Sequence, residues 1–507
     1  MSFIDSTQTK NRIMMKRFFS ISIVFFYFST LSFAQMWNGI DTLFGNEWID
    51  YDQQYFKMLV AEDGIYRVDK QTLEDAGVPL NSVTGAQLRV YHLGEEVPIF
   101  TSNSGSFATQ DYVEFYGNKN RSELDYHIFG NPVEDMMNPR YSLFTDTSAY
   151  FLTWNEQNSD SRLVETVNNL TNLPPKETSY LEEMEVVLNS HYSKEYGSQT
   201  IRNSYFETAE GFGSQYKVSQ THLVTPSNAS PNGNGNLHIR YATDYGGASN
   251  TGGGVHDQRI SINGVEVASD ESNRFNVLAH DFPIVNGELL SDIEVNFAGQ
   301  IGTHDKQSVA FLELKYPRLF NFDNESYKYF KIAASNTVKY LEIENFNTNG
   351  VLQLFDLTNQ IKLLPIEENG VLKIALPPSS QERALVLLNE TEIQPITSIE
   401  KIVFSNFLGT ESNYTIISHK DLMIPDANGL NQVQEYANYR ASTDGGNYNT
   451  TIVDIENLYD QFSYGVVNHP IAIRNFGHFL QKNEELPEYF LLIGNESHQY
   501  IESFIVH

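Results

Sequence analysis

The 507 residues include no cysteine, and basic side chains are scarce, with 33 Lys and Arg against 64 Asp and Glu. Without a thiol the chain holds no disulfide, no thiolate metal site and no cysteine nucleophile. The formal net charge of −31 argues against nucleic acid as a partner, because affinity for a phosphate backbone comes from clustered Lys and Arg. Self-sufficient catalytic motifs are missing as well. The sequence has no P-loop, no H-E-x-x-H, no nucleophile elbow and no complete dinucleotide fingerprint; Gly233-Asn234-Gly235 lies in a polar loop and reads as a turn. After the N-terminal segment no apolar run approaches the ~20 residues that a membrane-spanning helix needs.

What is present begins with an address. Lys16-Arg17 precede the apolar run Phe18 to Phe33, and Ser32-Phe33-Ala34 supplies small residues where a signal peptidase reads, so residues 1–34 are expected to be a signal peptide cleaved after Ala34. The exported chain must then hold together by hydrophobic cores alone, and its length is enough for several.

From residue 37 to 165 short β-branched and aromatic runs alternate with turn residues. They include Phe56 to Val60, Gly64 to Val68, Gln87 to His92, Tyr112 to Tyr116 and Thr145 to Trp154, an N-terminal β-rich module. One helix is expected at Lys70 to Ala76, stopped by Gly77. Beyond the Pro174-Pro175 linker, residues 176–320 read as a β-sandwich of jelly-roll type. Its Asn263-Gly264 is a hairpin signal, and its loops at Ser227 to Gly235 and Gly246 to Gly254 are rich in Gly, Asn and Ser. Residues 321–410 repeat the pattern on a smaller scale, as in an immunoglobulin-like sandwich. From residue 411 to 507 the order changes to strand, helix, strand, helix, helix, strand. The wholly apolar Tyr489 to Ile493 predicts a strand covered on both faces of a parallel sheet. The fold class expected is therefore multidomain and mainly β, followed by a partial α/β parallel-sheet domain.

Residue chemistry alone assigns no catalytic and no cofactor-binding residue. The thirteen histidines are scattered, with none at metal-ligand spacing. Asp244, Asp257, Asp270 and Asp305 lie near polar loops and leave a structural Ca²⁺ open, with no set of metal ligands assigned; Asp426 to Gly429 reads as a solvated turn. Tyr241 and Tyr245 fit a sugar platform or ordinary strand burial. Ser418 and His419 end a strand at the presumed carboxyl edge of the last sheet, where a serine nucleophile would still need a base brought to it in space.

Several longer stretches carry a likeness. YTIISHKDL (414–422), VDIENLYDQFSYG (453–465), AIRNFGHFL (472–480) and PEYFLLIGNES (487–497) resemble the opening of the catalytic domain of gingipain-family cysteine peptidases. At the front, EDGIYRVDKQTLEDAGV (62–78), DYVEFYGNKNRSELD (111–125) and NPRYSLFTDTSAYFLTW (138–154) resemble the N-terminal region of that family's PorU-like sortases of the type IX secretion system. The resemblance implies a caspase-like α/β domain with a His–Cys dyad at the carboxyl ends of adjacent strands. There a thiolate cuts secreted proteins to release a sorting domain. It also implies protein substrates or secretion-system components as partners, and a place in the periplasm, on the outer-membrane surface or outside a Bacteroidetes-type cell. No residue is carried over as catalytic, since there is no Cys and neither His498 nor His507 has the strand-then-glycine setting of the family histidine. Asn495 also stands after Gly494 where the family has an acidic residue. The expectation is a chain that stops short of the dyad and is inactive as it stands. The alternative is a non-catalytic cell-envelope protein whose β-sandwiches bind a partner or a glycan.

Overall fold

The first two sheets belong to the N-terminal module and pack face to face. One has the strand order Glu400–Ile402, Tyr55–Val60, Ser148–Trp154, Leu88–His92, Glu95–Val97; the other runs Gln394–Pro395, Gly64–Asp69, Tyr112–Gly117, Ile99–Thr101. Alternation along the strands places Phe56, Met58, Val60, Val68, Val90, Val113 and Phe115 in one fully buried core. The helix Lys70–Ala76 forms as its local signals dictate. Asp69 accepts a hydrogen bond from the Thr72 N–H at 2.8 Å, and Gly77 closes the helix at φ 94°. These are features of a computed structural model that describes residues 36–37, 40–193, 206–245, 254–485 and 487–494. The expected signal peptide, most of the loop at 246–254, and Asn495, His498 and His507 lie outside the described residues.

The second module is a sandwich of two antiparallel four-stranded sheets. Tyr180–Val187, Gln307–Arg318, Gly235–Thr243 and Asn276–Ile284 form one; Ser219–Val224, Ile293–Gly299, Val255–Ile262 and Val265–Asn273 form the other. Asn263 and Gly264 turn the last hairpin with φ of 50° and 78°, the left-handed pair that such a two-residue turn requires. The sandwich begins with the strand Tyr180–Val187, which follows the Pro174-Pro175 linker.

The third module, again two sheets, has its core at Phe322, Leu341, Ile343, Leu354, Leu372, Ile374 and Leu387. Residues 394–402 then return to the first module, where Gln394–Pro395 pairs parallel with Gly64–Asp69 and Glu400–Ile402 pairs antiparallel with Tyr55–Val60.

The last unit is a parallel sheet in the order Thr450–Asp454, Tyr414–Ser418, Tyr489–Ile493. Helix Gln432–Ala441 covers one face through Val433 and Ala437 against Ile416. Helices Ile455–Phe462 and Ile471–Lys482 cover the other through Leu458, Phe462 and Phe476 against Ile417 and Val453. The expectation of β-rich modules followed by a parallel α/β unit is met, with one correction. Among the described residues Tyr489–Ile493 pairs with Tyr414–Ser418 alone, at the edge of the sheet, and Tyr489, Phe490 and Leu492 are 47%, 38% and 55% exposed instead of buried. An apolar run reports that a strand suits burial; how much it receives depends on which elements lie over it. Among the described residues no helix is long and apolar enough to cross a membrane.

The first module is the hub. Its Glu114 is fully buried, bonded by the Arg67 guanidinium at 2.6 Å and by Lys362 Nζ of the third module at 2.7 Å. Toward the α/β unit, Lys57 meets Asp460 at 3.1 Å, His469 Nε2 meets Asp125 at 3.1 Å, and the Arg474 guanidinium donates to the His127 carbonyl at 2.8 Å. Gly465, at φ 80°, lies so close to the first module that a Cβ there would stand 2.4 Å from Ala149 Cβ.

Acidification should weaken this hub. Burial holds His92, stacked on Tyr150, and His127, beside Arg474, at pKa values of about 4, below the ordinary 6.5. The unfolded chain therefore binds more protons than the folded one between pH 4 and 6.5. Each histidine contributes stability that is complete above pH 6.5 and lost toward pH 4, up to about 3 kcal/mol. Asp460, pushed up to about 6 by burial, acts in the opposite sense and returns about 3 kcal/mol over the same window. Thermal melts should accordingly fall by several degrees from pH 6.5 to 4. A melting temperature that rises over that interval would contradict the assignment.

Candidate functional site at the carboxyl edge of the parallel sheet

The three parallel strands end together, with Ser418 in register with Asp454 on one side and Ile493 on the other. In open parallel sheets ligands bind just outside these carboxyl ends, where loops and helix N-termini converge. Here the edge gathers Ser418, His419, Lys420, Asp454, Glu456 and Gly494.

Each of these side chains has a local reason for its place. Asp454 caps the helix Ile455–Phe462, accepting from the Glu456 N–H at 3.2 Å. His419 caps the short turn Lys420–Met423, and its Nδ1 accepts from the Asp421 N–H at 3.2 Å. That leaves the ring proton on Nε2, which faces Glu456 Oε1 at 3.3 Å. Lys420 pairs with the other Glu456 oxygen. Partial burial pushes the Glu456 carboxyl up, but Lys420 and His419 outweigh it and hold the pKa below the ordinary carboxylate value. Ser418 shares the face of Ile416; its Oγ is buried and has no hydrogen-bond partner among the described residues.

The edge is therefore a charged rim in which an imidazole is held by a carboxylate. Among the described residues it contains no activated nucleophile. Both ring nitrogens of His419 are engaged, by the Asp421 N–H and by Glu456, so Ser418 and His419 do not form a nucleophile–base pair.

The other residues singled out in the sequence lie in the second module. Asp305 is fully buried and spends one oxygen on His256 Nδ1, at 2.9 Å, and on Gln258; the other accepts the Gln300 and Ile301 N–H groups at 2.7 and 2.9 Å. Asp270 holds Tyr241 Oη and His280 Nε2, Asp257 pairs with Arg259, and the Asp244 carbonyl faces His256 Nε2. Among the described residues no three His, Asp or Glu side chains are grouped to hold a metal ion. Tyr241 is buried in the sandwich core, whereas Tyr245 is exposed beneath the Arg274 guanidinium at 5.6 Å. Asp426 accepts the Asn428 and Leu430 N–H groups, as a turn aspartate does.

Sequence reasoning missed the inter-module groups Glu114, Asp125, Lys362 and His469. Period-2 alternation puts Glu114 on the face of its strand opposite Val113 and Phe115, where it reads as one solvated charge among many, and nothing along the chain names its partners.

Comparison with known proteins adds what this geometry lacks. No curated protein matches the chain. Among solved structures, dimeric latent PorU from Porphyromonas gingivalis superposes on 89% of the chain with a TM-score of 0.53 at 14% identity. The chain spans 42% of that PorU chain. A family 35 carbohydrate-binding module from Clostridium thermocellum aligns with 27% of the chain and 90% of its own length at 14% identity, with a TM-score of 0.15 that carries no fold assignment. Residues 408–507 match the sequence model of peptidase family C25. The α/β unit thus bears the signature of peptidase family C25, the gingipain family, on a chain whose fold is similar to that of PorU over most of its length.

Proposed function

We propose that this chain belongs to an exported C25-type protein of the type IX secretion pathway, in which the β-modules hold the α/β unit in place and the whole protein processes secreted proteins by a cysteine-type endopeptidase or sortase reaction. The observation that carries the reading is the C25 match at 408–507 on a PorU-like succession of modules. The family's chemistry needs a thiolate activated by an imidazole, and these 507 residues contain no cysteine. By themselves they are therefore inert as a peptidase. Purified chain incubated with a secreted protein bearing its C-terminal sorting domain should leave that protein intact, as followed by mass spectrometry. Cleavage at a defined bond, absent from a mock purification, would overturn the reading.

The missing thiol favours one second reading, a non-catalytic envelope protein that uses the same scaffold to bind a partner. The coding sequence beyond His507 separates the two. A following strand with a His and a strand with a Cys supports the peptidase; an open reading frame lacking both supports the binding protein.

A further inference from the structure

A groove of about 440 Å³ opens where the first three modules meet. Its walls follow from strand alternation. On Tyr180–Val187 the side chains of Leu181, Glu183 and Glu185 point outward while Tyr180 points into the core, and on Tyr327–Ile332 the outward positions are Tyr327, Tyr329 and Lys331. The first module closes the groove with Tyr116, whose ring stacks on that of Tyr329 at 6.2 Å and 22°. Tyr329 and Leu181 remain 37% and 49% exposed, so the groove offers an aromatic ring and an aliphatic side chain to an occupant.

The charges decide the class of occupant. Each of the three cations in the wall already holds a carboxylate: Arg121 with Asp63 at 2.6 Å, Arg140 with Glu185 at 3.3 Å, and Lys331 with Glu183 at 2.7 Å. A polyanion or a polycation would have to break these pairs or meet charge of its own sign. A neutral polyol need not, because a hydroxyl donates to the carboxylate and accepts from the cation of one standing pair. The C–H face of a sugar ring also suits a partly exposed aromatic ring. We propose that this groove between the three β-modules binds a neutral oligosaccharide, with Tyr329 as the stacking platform. The site is independent of the proposed peptidase role and holds under either reading of function.

Titration calorimetry on the full chain tests it, with neutral hexasaccharides of glucose, xylose and mannose as probes beside polygalacturonate and a basic peptide. At least one neutral hexasaccharide should bind saturably, with a Kd on the order of 1 mM or tighter and with little dependence on salt. Tyr329→Ala and Leu181→Arg should each weaken it about tenfold or more, a loss of about 1.4 kcal/mol or greater. Tyr439→Ala, an exposed tyrosine on the helix Gln432–Ala441 of the α/β unit and outside the groove, should leave binding unchanged. Thermal melts establish that each variant is folded, and either groove variant suffices if the other is not. Saturation by none of the neutral sugars, binding confined to polygalacturonate or the peptide, or neutral-sugar binding that survives the groove variants would each overturn the proposal.

Discussion

Glu114→Ala is expected to destabilise the hub by about 3–5 kcal/mol, the usual cost of removing one member of a buried ion pair. The carboxylate has no contact with solvent and neutralises two cations, Arg67 in its own module and Lys362 in the third. Lys362 is itself almost entirely buried, with its Nζ 3.8 Å from the Phe100 ring centre. Without Glu114 both cations lose their carboxylate, and Lys362 must be deprotonated or drawn toward water, which separates the two modules. The melting temperature should fall by about 6–20 °C, at 2–4 °C for each kcal/mol in a unit of this size. Lys362→Met in the same background should recover much of the loss, because a well-packed apolar group replaces an unpaired charge. A shift of only a degree or two in the single variant would mean that the modules are not joined through this triad.

Asp125→Ala carries the second large effect, and it acts on the α/β unit. Asp125 accepts from the Leu143 N–H at 2.7 Å and from Ser142 Oγ at 3.3 Å, and faces His469 Nε2 at 3.1 Å. His469 Nδ1 accepts from the Ile471 N–H at 3.2 Å, so the neutral ring carries its proton on Nε2 and donates it to Asp125. Burial lowers the His469 pKa despite the carboxylate, which agrees with that neutral form. The alanine variant leaves the Leu143 N–H and the imidazole N–H unpaired in the interior, at about 1–3 kcal/mol each. The helix Ile471–Lys482 begins two residues after this histidine, so its amides should exchange with solvent on the order of a hundredfold faster in the variant, about 3 kcal/mol of opening free energy. Exchange unchanged from wild type would show that the helix is held by other contacts.

These two sites mark the boundary of what can be read along the chain. Local features are legible because their causes are local. Gly77 stops one helix and Asn263-Gly264 turns one hairpin. The alternation of strand and helix after residue 411 likewise announces a parallel sheet, and so places Ser418 and His419 at its carboxyl edge. Whether those two residues touch is a matter of side-chain direction, and His419 turns to Glu456 instead. Asp125 and His469 are 344 residues apart, and nothing near either predicts the other. The return of residues 394–402 to the first module is equally silent, since a two- or three-residue edge strand has too few side chains to show a period. The exposure of Tyr489–Ile493 has a related cause, because composition shows what a strand tolerates and its neighbours decide what it receives.

The central claim is that the C25-type unit is clamped to the N-terminal β-module and forms one body with it. Amide hydrogen exchange on the intact chain tests this most directly. The helices Ile455–Phe462 and Ile471–Lys482 should be protected to the same degree as the hub strands Tyr55–Val60 and Ser148–Trp154, and should lose that protection together with them as denaturant rises. Helices that exchange orders of magnitude faster than the hub strands, with rates indifferent to Asp125→Ala, would contradict the account.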